Sequence, residues 1–350
     1  MAPAAGSNRL ECPVTLSNMM VKAGPQGAVR PHQGRIPDFF VVGHGKSGTT
    51  ALWDMLRQHP QLYLPYNKEP WFLADEMRPL SALRPEGTGS TPRTVEEYLA
   101  LFADATPDQR AGEASSLYLW SPTAAGRIAE MQPAARVVAV LREPASFLRS
   151  LHMQFVQVYV EPEKDLRRAL ALEAERRQGR HLPKSPYWPN ATLYSDHVRY
   201  VEQLRRYHER FSEDQMLVLI YDDFRRDNEA TVRKVWRFLE VDDTHPVVLR
   251  EANPTVRVRS RRLYSMVHTL AAGDAAVPRA VQAAAKTLAP RRLSRESAMA
   301  IRDRVVYGDP RPPDQGLMLE LRRRFKDEVV ALSEHLDRDM VKLWGYDRLG

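Results

Sequence analysis

A glycine-rich turn at residues 43–50, between an apolar run and an amphipathic segment, limits the fold more than any other feature of this sequence. The run at 38–43 is short, apolar and bounded by the turn, which is typical of a buried parallel strand. Apolar residues at 49–58 recur at helical spacing until His59 and Pro60 end the pattern. The order strand, glycine turn, helix predicts an α/β fold with an anion site at the turn.

Two further units of strand and helix follow along the chain. The β-branched run 136–141 leads into a helix whose first turn accommodates Pro144. A third strand at 216–221 follows an amphipathic helix at 195–211 and precedes a helix at 228–239. Strands that alternate with helices predict a central parallel β-sheet flanked by helices.

The remaining segments predict a tail, a single domain and a candidate lid. Residues 1–34 lack hydrophobic periodicity and are expected to be a disordered tail, while 35–350 are expected to form one domain. Segment 156–193 is charged at first and then rich in proline and aromatic residues, which favours a loop or lid over an acceptor. Helices are predicted at 275–288 and 317–343, the latter covering an edge of the sheet.

Composition narrows the class of ligand and the compartment. Lys and Arg number 51 against 44 Asp and Glu, a formal net charge of +7 with an isoelectric point near 9.5, which favours anionic ligands. The basic residues are spread along the chain rather than clustered, so no nucleic-acid partner is expected. No apolar stretch reaches the roughly 18 residues of a membrane span, and no secretory signal pattern is present. The single cysteine, Cys12, excludes an internal disulfide and fits a cytoplasmic protein.

The glycine-rich turn carries the groups that bind a phosphate-like anion. Its glycines allow backbone amides to face a ligand, one lysine adds a positive charge, and hydroxyls stand at the start of the helix. The residues concerned are Gly45, Lys46, Ser47, Gly48, Thr49 and Thr50. The nucleoside-triphosphatase pattern G-x-x-x-x-G-K-[ST] needs a glycine five residues before Gly45, where this chain has Phe40, so a P-loop kinase is kept as an alternative. On its own, the turn is equally consistent with a purely structural tight turn.

Several blocks of sequence resemble sulfotransferases that use 3′-phosphoadenosine 5′-phosphosulfate. Residues 46–52 together with 68–72 resemble the N-terminal signature of that family, and 112–119 is similar to its Gly-Glu-Lys-Ser-Pro-x-Tyr segment. Arg142, with Ser150 eight residues further on, matches the family's second nucleotide motif. The likeness is to bacterial members that act on carbohydrates or small molecules.

The resemblance extends over about 38–239 and departs from the family pattern in two places. Ala114 stands where many carbohydrate-type members have lysine. The C-terminal Lys-Gly-Arg loop that closes over the nucleotide in many members is not evident. Candidates for its place are Arg257, Arg259, Arg302, Arg304 and Arg311.

The resemblance implies a sulfotransferase fold like that of P-loop NTPases and an in-line transfer of a sulfuryl group to a hydroxyl. It implies that the 5′-phosphosulfate binds at 45–50, where Lys46 contacts the leaving phosphate and the oxygen that bridges it to sulfur. A preorganised ammonium stabilises charge on such a departing oxygen. Arg142 and Ser150 are implied to hold the 3′-phosphate, which remains on the product, adenosine 3′,5′-bisphosphate. Sulfuryl transfer requires no metal, so none is expected, including at the acidic pair Asp222–Asp223.

An acceptor hydroxyl must lose a proton as it attacks sulfur, so a general base is expected in the site. Glu69 is the predicted base, because similar members that act on sugar hydroxyls have a glutamate there and its aromatic neighbours partly desolvate it. The alternative interpretation of Glu69 is a simple ion pair with Lys68. His152 and then His44 are the alternative bases, since other members of the superfamily use histidine.

Two charged residues and a set of aromatic residues are supporting candidates. Lys68 is expected to contact the sulfate or to face solvent, and Glu113 to orient Lys46 or a loop. The aromatic residues that would line an acceptor pocket, or else belong to the core, are Trp71, Trp120, Tyr159, Tyr187 and Trp188. The acceptor stays open between a sugar, a lipid-linked glycan and a phenolic compound, and no oligomeric state is predicted. The second alternative function is a non-catalytic protein that binds anionic polymers, with an affinity that falls steeply with salt.

Overall fold

The chain divides into two compact units. The larger unit comprises Val21–Val156, Val160–Pro254 and Pro313–Gly350, and the smaller comprises Met1–Met20, Gln157–Tyr159 and Thr255–Pro312. The computed structural model describes residues 34–77, 92–157, 160–183, 189–248, 257–258, 307–308 and 312–349. The expected tail, apart from residue 34, and the helix predicted at 275–288 lie outside the described residues. The single domain expected over 35–350 stays a prediction.

The larger unit contains a five-stranded sheet whose strands are all parallel. The strands are β1 (Phe39–Gly43), β2 (Leu62–Tyr63), β3 (Arg110–Ala114), β4 (Arg136–Leu141) and β5 (Met216–Ile220). Their order across the sheet is β2, β3, β1, β4, β5. The predicted central parallel sheet flanked by helices is therefore confirmed.

Strand β1 lies at the centre of this sheet. Phe39 pairs with Gly112 of β3 on one side and with Arg136 of β4 on the other. All five residues of β1 are buried, as expected for an uninterrupted apolar strand in a sheet covered on both faces. A Cβ at Gly112 would lie 2.1 Å from the Phe39 ring, so glycine lets the two strands pack at this point. Parallel strands bring their carboxyl ends to one edge, where α/β folds place their ligands.

The larger unit also contains the α-helices. They are α1 (Thr49–Leu56), α2 (Val95–Ala100), α3 (Ala124–Met131), α4 (Pro144–Gln157), α5 (Leu166–Ala171), α6 (Glu173–Arg177), α7 (Tyr194–His197), α8 (Tyr200–His208), α9 (Tyr221–Arg226), α10 (Asn228–Phe238), α11 (Gln315–Arg324), α12 (Lys326–His335) and α13 (Met340–Leu343). One hydrophobic core joins β1 and β4 to α1 and α10, through residues such as Val41, Val138, Leu52 and Trp236. None of the helices in the described ranges has the length and apolarity needed to cross a membrane.

The smaller unit contributes two described strands. They are β6 (Arg257–Val258) and β7 (Tyr307–Gly308), which pair antiparallel. Of the arginines predicted to replace the C-terminal loop, Arg257 lies in β6, and the other four are outside the described residues.

The helix predicted at 195–211 is wrong as a single element. It is divided into α7 and α8, and Val198 and Arg199 between them are not helical. The Gln203 side-chain amide donates to the backbone oxygens of Asp196 (3.0 Å) and His197 (3.3 Å). The break therefore persists because a side chain satisfies carbonyls that a continuous helix would satisfy itself.

The helix predicted at 317–343 is likewise divided, into α11, α12 and α13. Phe325 separates the first two with a φ of −106°, and its side chain is buried. Asp339 caps α13 by accepting from the Lys342 amide at 2.8 Å, and the Ser333 hydroxyl accepts from the Met340 amide at 3.0 Å. These side-chain bonds compete with a continuous helix.

Two other segments differ from the predictions. The segment 156–193, predicted as a loop or lid, contains α5 and α6. Tyr221, predicted as the end of a strand, is the first residue of α9. β3 was not predicted, because Arg110–Ala114 contains no β-branched residue and its strand conformation depends on pairing with β1 and β2.

Candidate active site

The loop between β1 and α1 has the conformation of an anion-binding turn. Lys46 (φ 74°) and Gly48 (φ 87°) both have left-handed backbone conformations, and the Ser47 amide donates to the His44 oxygen at 3.1 Å. A left-handed conformation is costly for lysine, and such strain persists where surrounding contacts enforce it, commonly at functional sites. Phe40, the position where the triphosphatase pattern needs glycine, lies inside β1 rather than in the loop.

Lys46 is held in a cationic environment. Arg142, at the end of β4, donates from Nη1 to the backbone oxygen of Lys46 at 2.7 Å. Burial, followed by repulsion from Arg142, lowers the pKa of the Lys46 ammonium. Lys46 makes no ion pair with any residue of the described ranges. Two neighbouring cations without a carboxylate between them favour an anionic ligand.

Arg142 is itself positioned by its neighbours. Its Nε donates to the Ser146 hydroxyl at 3.1 Å, and its guanidinium lies 4.7 Å from the centre of the Tyr221 ring. Burial lowers the pKa of Arg142. The structure thus brings both predicted nucleotide motifs together at the carboxyl edge of the sheet, although the chain separates Arg142 from Lys46 by 96 positions.

Two buried hydroxyls indicate that the site is built for a further ligand. Ser47 is fully buried and Ser150, on α4, is 3% exposed. Neither Oγ has a hydrogen-bond partner within the described part of the chain. Buried polar atoms are nearly always satisfied, so each exception calls for a partner. Hydroxyls in the loop and on α4, together with two cations, fit the two phosphate groups of an adenosine phosphosulfate.

Glu69 is fixed by four hydrogen-bond donors. Oε1 accepts from Lys68 Nζ (2.5 Å) and the Ser116 hydroxyl (2.7 Å), and Oε2 accepts from Trp71 Nε1 (2.8 Å) and the Ser116 amide (2.9 Å). The residue is 5% exposed. Four donors match the full accepting capacity of a carboxylate. Both earlier interpretations of Glu69 therefore find geometric support, since it forms an ion pair and is also a buried carboxylate.

The backbone around Glu69 is strained. Glu69 (φ 60°) and Trp71 (φ 54°), on either side of Pro70, both have left-handed conformations that non-glycine residues rarely adopt. The Glu69 amide donates to the oxygen of Ala114 at 3.0 Å, and the Trp71 amide donates to the Ser115 hydroxyl at 3.3 Å. These bonds attach the strained loop to the end of β3.

Glu113 lies beside the Glu69 loop as a buried acid. Its carboxylate accepts from the Tyr98 hydroxyl and, at 3.3 Å, from the Tyr118 hydroxyl. Burial raises the pKa of Glu113 to about 7, although hydrogen bonds from Ser115 and the two tyrosines oppose the shift. Glu113 thus contacts the end of β3 and two tyrosines, and it supports the Glu69 loop through Ser115.

The histidines named as alternative bases are engaged in packing. His44 is fully buried, its Nε2 lies 2.8 Å from Gln203 Oε1, and burial followed by repulsion from His197 lowers its pKa to about 3. His152 is 5% exposed, its Nε2 lies 3.0 Å from the Glu163 backbone oxygen, and burial lowers its pKa. Both are neutral rings at physiological pH.

The remaining sequence candidates lie in other environments. Trp120 stacks on His197, with ring centres 5.0 Å apart. Asp222 accepts from Trp344 Nε1 at 3.0 Å, and Asp223 pairs with Arg226 and Arg338. The aromatic candidates Tyr159, Tyr187 and Trp188 are outside the described residues. In the described ranges no group of three His, Cys, Asp or Glu side chains is placed to hold a metal ion, and the expectation of no metal stays a prediction.

Sequence reasoning missed three residues of this arrangement. Ser116 provides two of the donors to Glu69, Gln203 holds His44, and the Tyr221 ring lies against Arg142. Tyr221 was recoverable from its place at the carboxyl end of a strand. No local pattern identifies Ser116 or Gln203, because each acts across a large separation in the chain.

Comparison with known proteins identifies the family. The model of the sulfotransferase family matches residues 37–245, more than half of the chain. Carbohydrate sulfotransferase 15 of Mus musculus is 26% identical over 250 residues, covering 59% of this chain and 44% of the mouse protein. Membrane-associated sulfotransferase kil1 of Dictyostelium discoideum is 29% identical over 109 residues, covering 31% of this chain and 21% of that protein. The chain thus spans less than half the length of these curated relatives.

The fold has a counterpart among solved structures. A sulfotransferase from Alicyclobacillus acidocaldarius superposes with a TM-score of 0.52 at 27% identity, covering 70% of this chain and 95% of that chain. The family match spans β1 to β5 and includes Lys46, Glu69, Arg142 and Ser150. The predicted family and its enzyme class are confirmed, and the chain belongs to the sulfotransferase family.

Proposed function

We propose that this chain transfers a sulfuryl group from 3′-phosphoadenosine 5′-phosphosulfate to a hydroxyl of a carbohydrate or another small molecule. The observation that carries the proposal is the bond from Arg142 to the Lys46 carbonyl, which holds two anion-binding elements at a set distance. A donor with phosphate groups at both its 3′ and 5′ positions matches two such elements. A ligand with a single phosphate uses one of them.

The donor site combines charge with unpaired hydroxyls. Lys46 and the loop Gly45–Thr50 would hold the 5′-phosphosulfate, with the Ser47 hydroxyl as an additional partner. Arg142 and the Ser150 hydroxyl would hold the 3′-phosphate. When bound, the donor supplies an activated sulfuryl group on a phosphate leaving group. Lys46 places its ammonium where that phosphate gains charge, in a buried site that strengthens the interaction.

Glu69 is proposed as the general base. Its buried carboxylate is oriented by Lys68, Trp71 and the Ser116 amide, all held by backbone or packing. The fourth donor, the Ser116 hydroxyl, can rotate about its Cα–Cβ bond and leave Oε1 to accept a proton from an acceptor hydroxyl. Proton acceptance of this kind contributes about 10²- to 10⁴-fold to a rate.

A sugar hydroxyl is the proposed acceptor. The mouse relative is named a carbohydrate sulfotransferase, and a glutamate base is the pattern that the resemblance associates with sugar hydroxyls. Segment 156–193 is the proposed acceptor lid. A bacterial origin and a cytoplasmic location stay predictions from composition, since one relative is named as membrane-associated.

A mass-spectrometric screen tests the proposal. Purified protein is incubated with the phosphosulfate donor and a panel of oligosaccharides, lipid-linked glycans and phenols, in parallel with the Lys46→Ala variant. The expected result is a gain of one sulfuryl group on at least one acceptor, lost in the variant. A phosphoryl gain from ATP with Mg²⁺ and none from the phosphosulfate would support the kinase alternative instead. Binding to polyanions that falls steeply with salt, without nucleotide selectivity, would support the non-catalytic alternative.

A further inference from the structure

A cavity of about 260 Å³ opens at the carboxyl ends of β4 and β5, beside Arg142. Tyr221 and Arg225 of α9 form one side of it. The other side comes from the C-terminal helices, where Arg322 of α11 and Trp344, directly after α13, line the cavity. These two residues lie beyond residues 37–245, the part that matches the family.

The carboxylates that line the cavity are already engaged by the protein. Glu143 accepts from the Tyr346 hydroxyl at 2.8 Å and from the Ser146 amide at 2.7 Å. Asp222 accepts from Trp344 Nε1 at 3.0 Å. Because Glu143 also takes the first amides of α4, the helix start itself offers little to an anion here. An anion in this cavity must therefore be bound by guanidinium groups.

The three arginines of the cavity retain unused donors. Arg142 bonds Lys46 and Ser146 through Nη1 and Nε, which leaves Nη2 without a partner in the described part of the chain. Arg322 touches Glu143 through Nε at 3.4 Å, and neither of its Nη atoms has a described partner. Arg225 forms no ion pair with the residues that the structure describes. Converging guanidinium forks with free donors match the geometry of a phosphate monoester.

The aromatic walls fix the class of ligand more closely. The Tyr221 ring lies against Arg142, and Trp344 is 5% exposed and oriented by Asp222. A cavity with cationic forks between two aromatic side chains suits a phosphate carried on a ring compound, such as the phosphorylated ribose of a nucleotide. Inorganic phosphate alone would leave the aromatic walls without a contact.

We propose that Arg322 and Arg225 bind the 3′-phosphate of the donor nucleotide together with Arg142, so that the C-terminal helices form one wall of the nucleotide site. This inference rests on the proposed function. It gives α11 the role that the sequence alone assigned to Arg257, Arg259, Arg302, Arg304 or Arg311. The phosphate would replace the weak 3.4 Å contact of Arg322 with Glu143 by a charge-assisted pair.

Calorimetric titration of two nucleotides tests this role directly. Adenosine 3′,5′-bisphosphate carries the 3′-phosphate and AMP does not, so the ratio of their dissociation constants reports this contact alone. Arg322→Ala is compared with Arg323→Ala, a neighbouring exposed arginine that does not line the cavity, and Arg225→Ala with Arg226→Ala. The expected loss for adenosine 3′,5′-bisphosphate is about 10- to 100-fold in Arg322→Ala, with AMP changed less than about threefold.

The outcomes separate this inference from the proposed function. If the unaltered protein prefers the bisphosphate to AMP, Arg142→Ala abolishes the preference, and Arg322→Ala behaves like Arg323→Ala, then the C-terminal wall is wrong and the proposed function stands. If the unaltered protein shows no preference for the bisphosphate, both are wrong. Arg322→Lys guards against a folding defect, because it retains the charge and stem but loses the fork, and we expect an intermediate loss of affinity.

Discussion

Arg142 Nη1 donates a hydrogen bond of 2.7 Å to the backbone oxygen of Lys46, which joins the end of β4 to a left-handed residue of the phosphate loop. This bond crosses from one strand of the sheet to the loop of its neighbour. It makes the spacing between the loop and Arg142 a property of the folded protein rather than of the ligand. The affinity for a two-phosphate nucleotide therefore depends on a bond that no phosphate touches.

Replacing Arg142 with lysine separates charge from geometry. Lysine keeps the positive charge but cannot hold Lys46 and Ser146 while also contacting a phosphate. We expect affinity for adenosine 3′,5′-bisphosphate to fall about 10-fold or more, and affinity for AMP to fall less. Calorimetry with both nucleotides measures the difference, and Arg226→Lys is the control, since Arg226 is exposed and pairs with Asp223. Equal losses for the two nucleotides would contradict the assignment.

Lys46 predicts a pH dependence of nucleotide binding. Burial and Arg142 lower the pKa of Lys46, so the ammonium loses its proton at a lower pH than an ordinary lysine. Affinity for the bisphosphate should therefore fall as pH rises through that lowered pKa. Titrations from pH 7 to 10 measure the fall, and Lys46→Arg should show a flatter profile because arginine stays charged throughout. An equally steep profile in the arginine variant would assign the titration to another group.

Changing Glu69 to glutamine separates proton transfer from donor binding. Glutamine keeps the size of the side chain but does not accept the acceptor's proton, so turnover should fall by about 10²- to 10⁴-fold while affinity for adenosine 3′,5′-bisphosphate changes little. Glu130→Gln is the matched control, since Glu130 is an exposed glutamate on α3. Steady-state rates at saturating donor measure the effect. Near-normal turnover would transfer the base role to His152 or His44.

Glu113 predicts a pH dependence of stability. Its pKa is raised from 4.5 to about 7 in the folded chain, so the folded state binds this proton more tightly than the unfolded state. The contribution is fully present below pH 4.5 and is lost as pH rises towards 7, by about 3 kcal/mol in total. Urea unfolding at several pH values measures the slope, and Glu113→Gln should remove this part of it. A variant whose stability falls with pH as steeply as before would show that Glu113 is already ionised.

Segment 156–193 contains a buried ion pair that attaches the proposed acceptor lid to the core. Arg176 Nη1 lies 2.7 Å from Glu161 Oε2, and both side chains are at most 1% exposed. Arg176→Met leaves Glu161 buried without its cation, so we expect a loss of about 3–5 kcal/mol of unfolding free energy. The neighbouring Arg177→Met removes a pair whose arginine is 42% exposed, and should cost less than about 1 kcal/mol. Comparable losses in the two variants, measured by denaturant unfolding, would contradict a structural role for the buried pair.

Local patterns determined a large part of this protein. The uninterrupted apolar runs of β1 and β4, the glycine-rich turn and the start of α4 at Pro144 were all readable, because each depends on neighbours within a few residues. The loop residues around Lys46, with Arg142 at a strand end, followed from the same patterns and from the family resemblance.

Only the tertiary structure decided the contacts that make these elements into a site. Arg110–Ala114 becomes a strand because β1 and β2 pair with it, although its own residues do not favour one. Ser116 reaches Glu69 across 47 positions and Arg322 reaches Glu143 across 179, and no local pattern encodes either approach. The physical reason is that sequence periodicity records which face of an element is buried, whereas hydrogen bonds between distant side chains depend on how the elements pack.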